Sequence, residues 1–404
     1  MEGKEIKIGL FGFGCVGQGL YDVLNMSQGL KARIDKFCVK DPNKKRSIDA
    51  SNFTYDKEDI LGRKDLDVVV ELIDNSEDAF EIVSRAMKNG VNVVTANKKM
   101  LAEHFAELYK LQMDNNVSLI YEGSAGGSIP IIRNLEEYYD NELLTSICGI
   151  VNGSTNYILS KMLFDNMPYA DALKEAQENG FAEANPWLDV AGYDALYKLV
   201  LLIVHSFGVI LKPEDVLNVG IQNIRIHDIH FAREKQLRIK LLAYATKIND
   251  QVRAYVLPHF VTRESELFNV NYEYNAIEVE GAFSDKQMLA GKGAGSHPTG
   301  SAVLSDISAL TYNYKYGYKK LKKNGANGTA ENVTAMLDND FTIKLYIRFS
   351  NPESLKELEI ISIEEEFRSA KTNYVIANVA FKSLFNLKGN KDTELFVCVV
   401  DDNA

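Results

Sequence analysis

The stretch that decides the fold is IKIGLFGFGCVG, residues 6–17. Its apolar first half predicts a buried β-strand over Ile6–Phe13. Its second half places Gly12, Gly14 and Gly17 in the spacing G-x-G-x-x-G, and a helix is predicted directly after it. A strand, this glycine spacing and a helix in that order are typical of a loop that binds the pyrophosphate of a dinucleotide.

Each glycine of this loop has a physical task. Gly12 permits the tight turn, Gly14 lets the backbone approach the pyrophosphate, and Gly17 allows the helix to pack closely on the strand. The partial positive charge at the helix N-terminus then faces the phosphates. We predict that the cofactor-binding residues of the loop are Gly12, Phe13, Gly14, Cys15, Val16 and Gly17. The alternative is a glycine turn in an α/β sheet that holds no ligand.

The first 145 residues alternate strand and helix patterns, and the strands are continuous Val/Ile/Leu runs. Such runs are typical of strands buried on both faces of a mainly parallel sheet. We predict an α/β fold whose N-terminal domain, residues 1–143, is a Rossmann-type dinucleotide-binding domain. Its predicted strands after the first are Ile34–Val39, Leu66–Ile73, Val91–Thr95 and Val117–Tyr121, and its predicted helices are Gly19–Asn25, Ala79–Lys88 and Lys99–Asn115.

From about residue 144 the pattern changes to that of an α+β domain, which we assign to residues 144–323. Its predicted helices are Asn152–Phe164, Tyr169–Glu178, Tyr193–Phe207 and Ala302–Tyr314, and its predicted strands are Ser146–Ile150, Arg253–Pro258, Ala276–Glu280 and Ala282–Phe283. A small β-rich module is predicted over residues 338–404, with strands Thr342–Phe349, Ile360–Phe367, Asn373–Ala380 and Glu394–Val400.

Composition narrows the classes of protein. The 404 residues are 46% hydrophobic and 25% charged, with a net charge of −11. These values indicate a folded globular chain and speak against binding of a nucleic-acid backbone. The four cysteines form no C-x-x-C pair, and no apolar run reaches the ~18 residues of a membrane span. The first residues do not resemble a signal peptide, so we expect a cytoplasmic protein that does not bind a membrane.

The end of the second strand bears on which dinucleotide is bound. An acid there binds the ribose 2′-hydroxyl of NAD, whereas basic residues accept the 2′-phosphate of NADP. The sequence has Lys40 followed by Asp41, then a basic turn over residues 44–46. Asp41 favours NAD and Lys40 favours NADP, and either could be a solvated turn residue. The choice between NAD and NADP stays open.

A second pattern with chemical meaning is the pair Asp194 and Lys198. The two residues are four apart in the predicted helix Tyr193–Phe207, so they share one face. The alternative is an exposed ion pair, but the helix continues with an apolar run over residues 199–204. A charged pair at the start of a buried helix favours a functional role. Reduction of a carbonyl needs a proton for the developing alkoxide, and a lysine in a closed site can supply it.

Four further segments carry a family resemblance: residues 95–98 (TANK), residues 122–130 (EGSAGGSIP), residues 149–159 (GIVNGSTNYIL), and residues 180–186 (GFAEANP) with Asp189, Gly192, Asp194 and Lys198. In this order and at these intervals the chain resembles homoserine dehydrogenases over residues 5 to 315. It is similar to the monofunctional members that carry a C-terminal extension. The resemblance implies hydride transfer between NAD(P)H and L-aspartate 4-semialdehyde, giving L-homoserine, in threonine, methionine and isoleucine biosynthesis.

The resemblance also implies roles for single residues of the second domain. Lys198 matches the proton-transfer lysine, and Asp194 matches a substrate-binding acid that we also count as catalytic. Glu183 and Asp189 match further acids that bind the substrate. From the residues alone, Glu183 could be a solvated loop carboxylate and Asp189 a helix-capping residue. Family members usually have Asp-Pro where this chain has Asn185 before proline, so we assign Asn185 no catalytic role.

Other residues are implied on the cofactor side. Lys98 matches a lysine near the nicotinamide and the substrate, although it could be an ordinary residue at a helix start. Ser76 and Ala96 match positions near the cofactor. A second glycine-rich turn, residues 291–295, is implied to return to the first domain with Gly295 in contact with the cofactor. Residues 291–320 would thereby complete the first domain.

The family resemblance further implies a bound monovalent metal ion, often sodium, held by backbone carbonyls. The matching positions are Glu122, Ala125, Gly127 and Ile129. Carbonyl ligands leave almost no side-chain pattern, so the sequence alone does not predict this site. The resemblance also implies a homodimer formed through the second domain, and a C-terminal module similar to the ACT domains that bind amino-acid effectors.

Two other functions remain as alternatives. A regulatory protein that senses NAD(P) would keep the glycine loop but would have no need of Asp194 and Lys198. Another dehydrogenase with the same first domain, such as aspartate-semialdehyde dehydrogenase, would need a nucleophilic cysteine in a loop. Cys148 lies inside an apolar predicted strand, which speaks against this second alternative.

Overall fold

The chain folds into two compact units. A computed structural model describes residues 5–27, 29–323, 336–370, 372–389 and 395–401. The first unit consists of residues 1–140 and 292–328, and the second of residues 141–291 and 329–404. The chain therefore leaves the first unit once and returns to it after residue 291.

The first unit is built on a six-stranded sheet in which every pairing is parallel. The strands are β1 (Ile6–Phe11), β2 (Ala32–Cys38), β3 (Phe53–Thr54), β4 (Val68–Glu71), β5 (Asn92–Thr95) and β6 (Leu119–Ile120). Their order is β3-β2-β1-β4-β5-β6. This is the order of dinucleotide-binding folds, and it reverses direction between β1 and β4. Ligands of such folds bind at the carboxyl ends of the strands beside that reversal.

Four helices lie in the connections between these strands: α1 (Cys15–Met26), α2 (Glu58–Leu61), α3 (Ser76–Lys88) and α4 (Lys98–Asn115). Helix α5 (Ile131–Glu137) follows β6, and the returning segment carries α11 (Ser296–Ala309) and α12 (Lys319–Lys323). The strands lie in the core of the unit: Ile8, Leu10, Val68, Val70 and Val94 are all fully buried.

Helix α11 belongs to the returning segment and packs against α1 through two glycines. A Cβ on Gly19 would lie 2.1 Å from the carbonyl oxygen of Ser296, and one on Gly300 would lie 2.6 Å from the backbone of Gly19. Only glycine permits this approach of two backbones. The Ser296 hydroxyl also donates a hydrogen bond to the carbonyl oxygen of Cys15 at 2.8 Å. The returning segment therefore lies directly against the glycine loop.

The second unit is built on a mixed sheet. Its strands are β7 (Leu144–Ile150), β8 (Leu217–Asn218), β9 (Arg238–Ile248), β10 (Gln251–Val261), β11 (Tyr274–Gly281), β12 (Asp285–Lys292), β13 (Thr342–Phe349), β14 (Ile360–Arg368), β15 (Asn373–Ala380) and β16 (Phe396–Val400). The order is β12-β11-β7-β9-β10-β16-β13-β15-β14, with β8 paired to β10.

The described residues of this unit also form the helices α6 (Gly153–Phe164), α7 (Tyr169–Glu178), α8 (Trp187–Val190), α9 (Tyr193–Phe207) and α10 (Ile226–Glu234). Every residue of α9 after Tyr193 is buried, which agrees with its apolar sequence on all sides. In the described part of the chain, no helix combines the length and the apolar composition needed to cross a membrane.

The last four strands, β13 to β16, have a known topology. They follow one another as strand, helical turn, strand, strand, helical turn, strand, with 3₁₀ turns over Pro352–Glu357 and Phe381–Leu387. Their spatial order is β16-β13-β15-β14, and neighbours are antiparallel. This is the ferredoxin-like βαββαβ topology, with 3₁₀ turns in place of α-helices.

This C-terminal region continues the sheet of the second unit. Strand β16 pairs in parallel with β10, where His259 lies opposite Val399. A single buried cluster includes Leu217 and Leu257 from the earlier strands together with Leu345 and Val397 from the C-terminal ones. Residues 329–404 accordingly belong to the same compact unit as residues 141–291.

The predicted fold class is confirmed, and most elements agree with the prediction. Helices α7 and α9 have the predicted bounds. The predicted strand Ala282–Phe283 is wrong, because these residues form the hairpin turn between β11 and β12. The sequence analysis did not predict β3, β8, β9 or β12. In β12 every residue is exposed or half-buried at the edge of the sheet, so no apolar pattern is required there.

Candidate active site

The glycine loop has the geometry of a phosphate cradle. Gly12 has φ +93°, and a Cβ there would lie 2.4 Å from the carbonyl oxygen of Leu72. A Cβ on Gly17 would lie 2.4 Å from the carbonyl oxygen of Gly12. A Cβ on Gly14 would meet nothing within 4 Å, and no side chain caps the first turn of α1. The loop thus needs glycine at two positions for its own packing and leaves open space at the third, which fits a dinucleotide.

The other loop residues differ in what they offer to a cofactor. The Phe13 ring is buried and makes edge-on contacts with Phe37 and Phe53, so only its backbone can take part in binding. Val16 is half-buried against the same core. Cys15 is exposed and is the first residue of α1.

We expect Gly14→Ala to weaken binding of a reduced nicotinamide dinucleotide at least about tenfold, or about 1.4 kcal/mol. The methyl group would occupy the open space where the backbone must approach the pyrophosphate. Gly14 has φ −86°, so alanine fits the backbone there. Fluorescence titration of the reduced dinucleotide measures the change. Gly29→Ala is the matched control, because a Cβ there also meets nothing within 4 Å. Equal affinity of both variants would contradict this site.

The turn after β2 carries Lys40 and Asp41. The Lys40 side chain is 94% exposed and lies 3.9 Å from the carboxylate of Asp78. The Asp41 carboxylate accepts a hydrogen bond from the backbone N–H of Asn43 at 2.8 Å, and its carbonyl oxygen accepts one from Arg46. Both charges therefore lie at the edge where the ribose of a bound dinucleotide is expected, and the geometry does not decide between them.

The remaining residues predicted on the cofactor side follow the carboxyl ends of other strands. Ser76 is buried and begins α3 after β4, and Lys98 is half-buried and begins α4 after β5. Ala96 lies in the turn between β5 and α4. Gly295, at φ +123°, is the residue before α11.

A buried carboxylate that the sequence did not single out ties these turns together. Glu71, at the end of β4, accepts hydrogen bonds from the Thr95 hydroxyl and from the backbone N–H of Ile73, both at 2.6 Å. Asn97 donates a further hydrogen bond to the carbonyl oxygen of Ile73. Burial raises the pKa of Glu71 to about 7. These contacts hold the ends of β4 and β5, and hence the turns that carry Ser76 and Lys98.

The predicted ion-binding segment is a buried turn after β6. Glu122, Ala125, Gly127 and Ile129 are all buried. The Glu122 side chain accepts hydrogen bonds from the backbone N–H groups of Ile132 and Arg133 at the start of α5, and burial raises its pKa to about 7. Its carboxylate is thus occupied by the helix, and what this segment can offer a cation is backbone carbonyl oxygen.

In the second unit, the structure brings Asp194 and Lys198 together. Gly192, at φ +81°, turns the chain into α9, and the two residues lie one turn apart on that helix. The Lys198 ammonium lies 2.9 Å from the Asp194 carboxylate and donates a hydrogen bond of 2.6 Å to the carbonyl oxygen of Val151. Their side chains are 7% and 11% exposed. The pair is therefore buried, unlike a surface ion pair.

Asn152 connects this pair to Asp189. Its side-chain nitrogen donates to the Asp189 carboxylate at 2.7 Å and to the Asp194 carboxylate at 2.9 Å. Asn152 was assigned no role in the sequence analysis, although an asparagine before Gly-Ser-Thr at the end of a strand is a helix N-cap signature. Glu183, by contrast, is exposed on the loop between α7 and α8, and it is not a member of this hydrogen-bonded group.

Fold and geometry together indicate what class of protein this is. The first unit offers a dinucleotide cradle, and the second offers a buried lysine in contact with a carboxylate. Hydride transfer to a carbonyl carbon needs these two provisions, so the class is that of the NAD(P)-dependent oxidoreductases that act on a CH–OH group. Residues 12–122 match the NAD-binding domain of homoserine dehydrogenase, and residues 130–308 match homoserine dehydrogenase itself. The chain belongs to the homoserine dehydrogenase family.

Similarity to individual proteins extends over most of the chain. It is 36% identical to a homoserine dehydrogenase of Bacillus subtilis over 323 residues, which cover 78% of this chain and 75% of that protein. The chain is also similar to the crystal structure of a homoserine dehydrogenase from Thiobacillus denitrificans. The match covers 99% of each chain, with a TM-score of 0.80 and 27% sequence identity. A hyperthermophilic archaeal homoserine dehydrogenase mutant in complex with NADPH covers 78% of this chain and 100% of its own, with a TM-score of 0.67 and 26% identity.

The activity is therefore reversible hydride transfer between NAD(P)H and L-aspartate 4-semialdehyde, giving L-homoserine. The predicted alternatives, an NAD(P) sensor and aspartate-semialdehyde dehydrogenase, are not supported. The second of these would need a nucleophilic cysteine, whereas Cys148 lies within β7 and burial raises the pKa of its thiol.

Proposed function

We propose that Lys198 exchanges the proton in this reaction. In the direction of reduction, a nicotinamide dinucleotide held by the glycine loop would supply the hydride for the aldehyde carbon of the semialdehyde. The aldehyde oxygen becomes an alkoxide, and the Lys198 ammonium gives it a proton. In the direction of oxidation, the neutral lysine takes the hydroxyl proton of homoserine. The observation that carries this proposal is the buried contact of Lys198 with Asp194 and with the carbonyl oxygen of Val151.

Asp194 has two parts in this scheme. Its carboxylate, 2.9 Å from the Lys198 ammonium, fixes the position of that group. Together with the half-buried Asp189, the buried Asp194 also presents negative charge, which suits the α-ammonium group shared by homoserine and the semialdehyde. Glu183, exposed on its loop, is proposed as a third acid for the same ammonium group. Asp189, Asp194 and Glu183 are thus the proposed substrate-binding residues.

On the first unit, we propose Lys98 as a further catalytic residue beside the nicotinamide. The proposed cofactor-binding residues are those of the glycine loop with Lys40, Asp41, Ser76, Ala96, Lys98 and Gly295. Both NADP and NAD are kept as candidates, because Lys40 and Asp41 lie in the same exposed turn. That one structural neighbour is in complex with NADPH supports NADP for that protein.

A direct assay tests the function and the cofactor together. Purified protein is mixed with L-homoserine and either NAD⁺ or NADP⁺, and absorbance of the reduced nicotinamide is followed. L-Serine, which carries the same groups on a shorter chain, is the control substrate. We expect absorbance to rise with homoserine and at least one cofactor, and to rise far less with serine. No rise with either cofactor, despite measurable cofactor binding, would contradict the function.

We propose that a monovalent cation is held by the backbone carbonyl oxygens of Glu122, Ala125, Gly127 and Ile129. The family resemblance implies that this cation is sodium. A carbonyl oxygen has two lone pairs, so the hydrogen bond that Ile129 already accepts from Ile131 leaves room for an ion. We expect sodium to raise the melting temperature above its value in choline chloride at equal ionic strength, because a ligand of the folded state stabilises it. Equal melting temperatures in both salts would contradict the site.

The proposal also covers the oligomeric state, the location, the partners and the C-terminal region. We propose a homodimer formed through the second unit, a cytoplasmic location, and no nucleic-acid or membrane partner. The C-terminal strands β13–β16 are proposed as an ACT-like module, which their βαββαβ order supports. Light scattering of the purified protein tests the dimer, since a mass near that of one chain would contradict it.

A further inference from the structure

The side chain of Asn152 lies where the groups proposed for catalysis converge. Asn152 follows β7 directly and is the N-cap residue of α6. Both hydrogens of its side-chain nitrogen are used, one toward Asp189 at 2.7 Å and one toward Asp194 at 2.9 Å. The residue is only 5% exposed. One amide group therefore separates and holds two carboxylates that belong to different elements.

The orientation of this amide is determined by its neighbours. Its oxygen accepts hydrogen bonds from the backbone N–H of Thr155 at 2.8 Å and from the Thr155 hydroxyl at 2.9 Å. A backbone N–H can only donate, and an ionised carboxylate can only accept. The side-chain oxygen must therefore face Thr155, and the nitrogen must face the two acids. If the amide were rotated by 180°, its oxygen would face the carboxylate oxygens and its N–H groups would face the backbone N–H of Thr155.

The same short segment also holds the lysine. The carbonyl oxygen of Val151, one residue earlier, accepts the hydrogen bond from Lys198. The Asp194 oxygen that receives the hydrogen bond from Asn152 also receives the contact from Lys198. Val151 and Asn152 thus fix the lysine and its carboxylate partner from one stretch of backbone, at the end of a buried strand.

We propose that Asn152 is a positioning residue for the reaction. Its amide holds Asp189 and Asp194 side by side as ionised carboxylates, and through Asp194 it sets the position of the Lys198 ammonium. Two neighbouring carboxylates repel each other and favour uptake of a proton. The two N–H donors between them counter that repulsion. This inference rests on the proposed role of Lys198 and extends it to the residue that orients the group.

The competing interpretation is that Asn152 serves only as a helix cap. Two variants distinguish this structural role from a positioning role. Serine and aspartate both serve well as N-caps, so Asn152→Ser and Asn152→Asp keep an acceptor for the N–H of Thr155. Neither keeps two N–H donors for the acids. Asn351→Ser is the matched control, because Asn351 caps the 3₁₀ turn Pro352–Glu357 in the same way, away from the described site. Melting temperature, kcat and KM are measured from pH 5.5 to pH 9.

We expect Asn152→Ser to lower kcat by about 10- to 100-fold, the loss that a misplacement of about 1 Å produces. Its melting temperature should stay close to that of the wild type and of Asn351→Ser. In Asn152→Asp, three carboxylates meet, so the pKa of the group rises. Once protonated, the new carboxyl can again donate one hydrogen bond. The kcat of Asn152→Asp relative to the wild type should therefore increase as the pH falls.

A helix cap alone would not produce that pH dependence. The inference is overturned if Asn152→Ser keeps kcat within about twofold of the wild type, or if the ratio of Asn152→Asp to wild type is constant with pH. Lys198→Ala is assayed alongside. If that variant keeps its turnover, the proposed role of Lys198 fails, whereas the Asn152 variants still report on the position of the two acids.

Discussion

Lys198→Ala should lower kcat by roughly 10²- to 10⁴-fold, the usual contribution of a positioned acid or base. The lysine is buried and contacts Asp194 and the carbonyl oxygen of Val151. The affinity for the reduced dinucleotide should stay the same, because the glycine loop and the predicted cofactor residues all lie on the first unit. Steady-state kinetics and fluorescence titration measure the two quantities.

The control for this variant is another buried lysine of the same unit. Lys240 is 2% exposed, donates hydrogen bonds to Asn156 and Val270, and has its pKa lowered to about 7 by burial. Lys240→Met also removes a buried amino group, yet it should keep most of the kcat of the folded enzyme. The account is contradicted if Lys198→Ala turns over like the wild type. It is contradicted equally if its loss of turnover accompanies a matching loss of cofactor binding.

Arg348→Ala should lower the free energy of unfolding by about 3–5 kcal/mol, as expected when one partner of a buried ion pair is removed. Arg348, on β13, lies 2.8 Å from the carboxylate of Asp228 on α10. Asp228 is fully buried and also accepts a hydrogen bond from the Tyr346 hydroxyl. Burial already raises the pKa of Asp228, and Arg348 opposes that rise. Without the arginine, a charged or newly protonated carboxyl would remain in the core.

Two companion variants make the stability measurement specific. Replacing both partners, as in Asp228→Leu with Arg348→Met, should destabilise the protein much less, because no charge is left buried and unpaired. Glu353→Ala removes an exposed partner of Lys356 and should change stability by less than about 1 kcal/mol. Urea unfolding of the four proteins gives the values. A loss below about 1 kcal/mol in Arg348→Ala would contradict the importance of this pair.

The sequence was sufficient for the fold of the first unit and for the bounds of the strongest helices. The glycine loop and the alternating apolar runs have local causes, so they are visible in single segments. Helix α9 was predicted with its observed bounds, since Gly192 precedes it and Gly208 follows it, both with positive φ. The joining of β16 to β10 was not predictable, because pairing between strands about 140 residues apart leaves no mark in either segment.

The candidate site was predicted in part, for a similar reason. Asp194 and Lys198 are four residues apart on one helix, so their contact follows from helix geometry. Asn152 contacts Asp189 and Asp194 across 37 and 42 residues, and such contacts depend on how the helices pack. The carbonyl oxygen of Val151 could not be predicted at all, since any residue supplies one. The sequence analysis likewise placed the buried carboxylate of Glu71 in a predicted strand and did not predict its hydrogen bonds.

The most direct test of the central claim is chemical rescue of Lys198→Ala with small primary amines. An amine that enters the space left by the lysine side chain can exchange the proton in its place. Turnover of L-homoserine is followed at saturating cofactor while the amine concentration and the amine pKa are varied. We predict that kcat rises with amine concentration and depends on the amine pKa, and that the wild type and Lys240→Met show no such rise. If Lys198→Ala is folded and binds the cofactor, but its kcat does not rise with any of the amines, proton exchange by Lys198 is contradicted.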